Sequence, residues 1–150
     1  VELLLRYQHK NVNSIVALSR QSPTPSNEPR LSHLQIEYAN PASLEKAFSG
    51  LDTLVFPGSN GNPEEMLLHH RNVLAAASKC HVRRFVYLST LDVSPSSRFP
   101  YAKVHQATEK MLAETAWKCA YCVLRSSPSP SWTCLSSLQL LKKFFDFRLD

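Results

Sequence analysis

The chain has 150 residues, 43% hydrophobic and 19% charged, the composition of an ordinary globular domain long enough to bury a core. Its 17 basic residues against 12 acidic ones leave a net charge of +5, but the basic residues run from Arg6 to Arg148 in nothing denser than pairs such as Arg83-Arg84 and Lys142-Lys143. That spread argues against a specific nucleic-acid partner, which needs a basic stripe with interleaved aromatics, and no apolar run approaches the roughly 18 residues that cross a bilayer.

The opening "VELLLRYQHK" turns polar too early for a signal peptide, so a cytoplasmic protein with no membrane partner is expected. A first residue of Val in place of Met points to an incomplete or processed sequence. Leu3, Leu4 and Tyr7 stand at helical spacing. "SIVALS" (14–19) is an apolar, β-branched run and predicts a buried strand. "RQSPTPSNEPR" (20–30) is too rich in Pro and Ser for a regular helix. "LQIEY" (34–38) alternates as a strand. "NPASLEKAFSG" (40–50) opens on a capping Asn, puts Leu44, Ala47 and Phe48 on one face, and closes on Gly50.

"DTLVF" (52–56) is a further short strand, ended by Pro57-Gly58. "NPEEMLLHHRNVLAAASK" (62–79) reads as a helix, with Pro63 in the first turn and Glu64 and Glu65 at its positive end. "RFVYL" (84–88) predicts a strand buried on both faces that stops at Ser89-Thr90. "YAKVHQATEKMLAETA" (101–116) is an amphipathic helix with Val104, Thr108, Met111 and Leu112 inward and Lys103, Gln106 and Lys110 outward. "AYCVLR" (120–125) is the last strand. Five strands alternating with helices predict one mainly parallel sheet covered by helices on both faces.

"SSPSPSWTCLSS" then breaks the pattern, and "LQLLKKFFDFRLD" places Leu138, Leu141, Phe145 and Leu149 at helical spacing. The expected organisation is therefore an α/β domain over 1–125 and a divergent Ser/Pro-rich segment with a terminal helix over 126–150. Cys119 and Cys122 form a CxxC, but residues three apart on a strand face opposite ways. Cys80 and Cys134 supply no second close pair, so no metal site is expected and the cysteines read as buried thiols.

Five segments together resemble the NmrA-like group of atypical short-chain dehydrogenases, which includes NAD(P)H:quinone oxidoreductases. "IVALSR" is similar to the second strand of that Rossmann-like fold, ending in Arg. "EYANPASLEKAFSGLDTLVF" is similar to its third strand, short helix and fourth strand. "HHRNVLAAASKCHVRRFVYLST" resembles the helix and fifth strand carrying His-Arg-Asn-Val and Tyr-x-Ser. "HQATEKML" matches a His-x-x-Thr-Glu segment, and "YCVLR" the closing strand. The likeness covers most of residues 1–125. The family's first strand and Gly-rich turn have no counterpart, because the only glycines are Gly50, Gly58 and Gly61. The resemblance thus implies a Rossmann-like α/β fold lacking its first strand, and weak dinucleotide binding by this stretch alone.

Each candidate site follows from the resemblance. Arg20, directly after a strand, either pairs the 2′-phosphate of NADP or is a solvated loop residue, and the first reading makes NADP(H) the expected cofactor over NAD(H). Glu37 and Tyr38, at the end of the third strand, either correspond to the adenine side or are a pair at a loop edge. Ser59, Asn60, Ser89 and Thr90, at the ends of two strands, would line the nicotinamide side; a polar turn is the alternative. The Tyr-x-x-x-Lys pair of short-chain dehydrogenases is absent, since Tyr101 and Lys103 are two apart. His105 is the catalytic candidate, with Glu109 one turn on to orient it; a structural His–Glu pair on the surface is the rival. The functions implied are an NADPH-dependent oxidoreductase acting on a quinone-like small-molecule acceptor, a dinucleotide-sensing regulator that binds a protein partner, or an inactive chain.

Overall fold

The structure is a computed structural model and describes residues 13–22, 27–89 and 96–115. The helical pattern over 1–9, Thr90, the strand over 120–124 and the segment 126–150 lie outside these residues. Of the five strands expected in one sheet, four are described, and they pair two by two, both pairs parallel. They fall in two compact units, divided after Gln35.

In the first unit β1 (Ile15–Ser19) pairs with β2 (Leu31–Gln35), Ile15 opposite Leu31 and Ser19 opposite Gln35. The ladder is extended by Ile15 N–H donating to the Arg30 carbonyl at 2.7 Å. The strand expected over 34–38 is therefore displaced three residues upstream. The reason is a local capture of Glu37: its N–H donates to Ser43 Oγ at 3.2 Å, and its carbonyl accepts from Asn40 N–H at 3.1 Å. With both groups turned to the next helix, the chain leaves the ladder at Gln35 although its alternating pattern continues.

The second unit begins at Ile36. Helix α1 (Pro41–Phe48) starts where Asn40 Oδ1 accepts from the Ala42 and Ser43 amides, and it buries Leu44, Ala47 and Phe48 as the spacing predicts. Gly50 follows in the left-handed region, φ +78°, which an L side chain adopts at a cost. Helix α1 packs against α2 (Pro63–Lys79), which in turn packs against α3 (Pro100–Glu114). Asn62 Oδ1 caps α2 through the Glu65 amide at 2.9 Å. At its other end Val82 N–H returns to the Ala77 carbonyl and His81 N–H to that of Ser78. This is the paired-bond ending that needs one left-handed residue, and His81 supplies it with φ 56°.

Between α1 and α2 lies β3 (Thr53–Phe56), and between α2 and α3 lies β4 (Arg84–Tyr87); they pair in parallel with Thr53 opposite Arg84 and Phe56 opposite Tyr87. Asp52 joins their starts, its carbonyl accepting the Arg83 and Arg84 amides and its carboxylate holding both guanidinium groups. Burial pushes the Asp52 carboxyl up, but hydrogen bonds from Arg83, Arg84 and Thr53 outweigh it and hold the pKa below the usual 3.8. Leu54 and Phe56 are buried while Val55 is exposed, so β3 covers one face; Phe85, Val86 and Tyr87 are all buried, so β4 is enclosed on both. Each such large apolar side chain contributes roughly 1.5–3 kcal/mol on burial. On α3, Val104, Thr108 and Leu112 are buried as predicted.

Candidate functional site

Because β3 and β4 are parallel, their carboxyl ends share one end of the unit, the position where ligands gather in open α/β sheets. Beyond β3, Gly58 takes φ +95° and turns the chain so that Ser59 N–H donates to His70 Nε2 at 3.3 Å. The two hydroxyls beyond these strands, Ser59 Oγ and Ser89 Oγ, are buried and find no hydrogen-bond partner among the described residues. Each residue is only 7% exposed. A buried hydroxyl without a partner is costly, and the residues that follow Ser89 lie outside the described ones.

Beneath these hydroxyls lies an aromatic and histidine cluster on β3, β4, α2 and α3. The Phe56 ring stacks on Tyr87 with centroids 6.0 Å apart and meets His70 edge-on at 5.0 Å. Tyr87 Oη lies 2.6 Å from His105 Nδ1 and 3.4 Å from His70 Nδ1. His70 Nδ1 is 2.8 Å from Thr108 Oγ1, which donates onward to the Val104 carbonyl at 2.8 Å. Burial, reinforced by repulsion from His105 and His69, lowers the pKa of His70 from 6.5 to about 4. Burial also lowers that of His105, against an opposing pull from Glu109, and raises that of Tyr87 above the ordinary phenol value of 10.0. The cluster is thus neutral at physiological pH, with a phenol that keeps its proton.

The structure brings some of the predicted residues together and leaves others apart. Ser59 and Ser89 are buried at the strand ends with Asn60 exposed beside Ser59, and Thr90 lies outside the described residues. His105 is half-buried, its Nδ1 at 2.6 Å from Tyr87 Oη. Glu37 and Tyr38 do not end a strand, since β2 stops at Gln35; Glu37 sits in the turn before α1, and the Tyr38 ring packs on His69 with centroids 5.4 Å apart. Arg20 belongs to the other unit, exposed directly after β1, where its carbonyl accepts from Gln35 Nε2 at 3.0 Å.

Sequence reasoning missed the role of His70, present there only within the His-Arg-Asn-Val motif, and the side chain of Tyr87. One signal was available. Tyr87 lies two residues before Ser89, and Thr108 is one helical turn beyond His105, so His-x-x-Thr places two polar groups on one face of α3. Among the described residues no three His, Cys, Asp or Glu side chains are grouped to hold a metal ion, and no helix is long and apolar enough to cross a membrane.

The fold is that of an α/β protein with parallel strands, and comparison with known proteins gives its family. A family model described as NAD(P)H-binding matches residues 1–143, and the chain belongs to that family. The NmrA-like family domain-containing oxidoreductase flvB of Aspergillus flavus is 32% identical over 104 residues, which are 63% of this chain and 34% of that protein. The NADPH-dependent quinone oxidoreductase QOR2 of Escherichia coli, solved with NADPH, is 27% identical with a TM-score of 0.63, the match covering 83% of this chain and 44% of that one. A nucleoside-diphosphate-sugar epimerase of Staphylococcus aureus, at 17% identity, shares the fold with a TM-score of 0.68 over 82% of this chain and 44% of its own. The Rossmann-like, NmrA-like resemblance is therefore borne out. The chain spans about a third of the length of flvB and under half of these solved structures.

Proposed function

We propose that this chain forms the nucleotide-binding part of an NADP(H)-dependent oxidoreductase that reduces a quinone-like acceptor. The observation that carries the reading is the pair of buried hydroxyls of Ser59 and Ser89, without a hydrogen-bond partner among the described residues, at the carboxyl ends of parallel strands beside a neutral histidine cluster. These donors fit a nicotinamide dinucleotide, whose carboxamide offers both donor and acceptor; the bound group supplies the hydride. Ser59, Asn60, Ser89 and Thr90 are the residues assigned to its nicotinamide end, and Glu37 and Tyr38 to its adenine end. His105 acts on the acceptor. Arg20 is assigned to the 2′-phosphate, where a guanidinium pairs bidentately with the extra anion. The 27% identity to an NADPH-dependent quinone oxidoreductase supports the acceptor class.

The test combines calorimetric titration of the full-length protein with NADPH and NADH and measurement of its NADPH consumption with a soluble benzoquinone. Arg20→Ala is expected to weaken NADPH roughly tenfold or more, the worth of a hydrogen bond to a charged group, with NADH unchanged. Equal losses for both would remove Arg20 from this role. Cofactor binding with no acceptor reduction would refute the enzyme reading and favour the dinucleotide-sensing one.

A further inference from the structure

We infer that Tyr87 and His70 hold His105 in one neutral tautomer, with the proton on Nε2, so that it serves the acceptor oxygen as a hydrogen-bond donor and not as a general acid. The inference rests on the oxidoreductase reading above for its functional half, while the tautomer itself follows from the bonding of this chain alone.

The chain of bonds can be followed from one donor of fixed direction. Ser59 N–H can only donate, so His70 Nε2 must accept, and the proton of neutral His70 is then on Nδ1. That N–H is shared between Thr108 Oγ1 at 2.8 Å and Tyr87 Oη at 3.4 Å. Thr108 can accept it because its own hydroxyl proton is committed to the Val104 carbonyl. Thr108 Oγ1 already accepts from His70 Nδ1, and the shortest contact of Tyr87 Oη is His105 Nδ1 at 2.6 Å, to which we assign its proton. A neutral imidazole whose Nδ1 accepts carries its proton on Nε2.

Protonating His105 would put a second N–H against Tyr87 Oη and displace the phenol proton from its acceptor. The groups facing His105 are Tyr87 on β4, His70 on α2 with ring centroids 6.1 Å away, and Glu109 on its own helix. Only Glu109 favours the cation, and burial outweighs it.

The chemical consequence is specific. A bound reduced nicotinamide would supply hydride, that is two electrons and one proton, and negative charge would then develop on a carbonyl oxygen of the acceptor. His105 Nε2–H stabilises that oxygen by a hydrogen bond, as neutral imidazole does where its cation is suppressed. It keeps its proton, because losing it would leave an imidazolate, and the proton completing the hydroquinone comes from water. Tyr87 and His70 are positioning residues in this account.

The experiment is histidine side-chain nitrogen NMR on the isotope-labelled 150-residue chain, which requires neither cofactor nor variant. His105 Nδ1 is expected to read as the unprotonated nitrogen and Nε2 as the protonated one, unchanged as the pH falls through the ordinary histidine value of 6.5. A reversed or mixed tautomer, or ordinary titration there, would overturn the inference. In Tyr87→Phe the tautomers should mix and titration should move back toward 6.5. The rate of benzoquinone reduction should drop roughly tenfold, the worth of one hydrogen bond, with KM for NADPH unchanged. In the unaltered protein that rate should be level across the same pH range; a rise on acidification would mark a general acid and refute the donor role. The expected tautomer without any acceptor reduction would uphold the tautomer half and sink the oxidoreductase reading instead.

Discussion

Acid is expected to weaken the second unit within a window set by His70. Burial disfavours its cation and brings its pKa from 6.5 to about 4, so the folded state prefers the neutral ring. The stability this preference carries is whole above pH 6.5 and is lost as the pH falls toward 4, because the unfolded chain takes up the proton first. Each pH unit inside the window is worth ~1.4 kcal/mol, which gives a loss of about 2 kcal/mol by about pH 5 and about 3 kcal/mol by about pH 4. Against the 5–15 kcal/mol that typically holds a domain together, that is a large fraction. His105 acts in the same direction, while the contribution of Asp52 is lost only below about 3.8. The assay is the urea midpoint followed by circular dichroism from about pH 7 to about pH 4, for the native chain and His70→Gln. The Gln oxygen keeps an acceptor for Ser59 N–H but does not titrate. Its midpoint should start lower and stay flatter; the same slope in both proteins would refute the reasoning.

Further outcomes follow from single backbone and capping positions. Gly58→Ala should cost ~1–2 kcal/mol from the left-handed strain alone, since an added β-carbon meets nothing closer than His70 Nε2 at 3.7 Å; thermal unfolding measures the loss, and an unchanged midpoint would show that the turn relaxes. His81→Gly should stabilise by about 0.5–1 kcal/mol, because the left-handed end of α2 is then reached without a β-carbon; a lower midpoint would mean that the imidazole contributes there. Asn62→Ala should lose ~1 kcal/mol by removing the cap on the Glu65 amide, read as a lower urea midpoint and lower helical ellipticity. Asp52→Asn should remove the acid-induced loss below about pH 3.8 and leave the His70 window in place.

Local patterns were legible because their causes lie within a few residues. Asn40 as a cap, Pro63 in a first turn, and the buried faces of α1 and α3 all follow from spacing and hydrogen-bonding chemistry along the chain. The apolar runs at 53–56 and 84–87 declared themselves as strands for the same reason. Strand β2 did not, because its end was decided by Ser43 taking the Glu37 amide, a competition that hydrophobic alternation does not encode. The site divides the same way. Resemblance pointed to Ser59, Ser89 and His105, each at a strand end or on a helix face. His70 looked like a spare histidine on a helix, and Tyr87 like one more core aromatic. Their meeting with His105 and Thr108 joins residues up to 38 apart in sequence, and which nitrogen bears each proton depends on the backbone amide of Ser59 across the unit. Residue type and local periodicity determined the elements; only packing α2 and α3 against β4 decided which polar groups would face one another, because hydrogen-bond direction is a property of the assembled set.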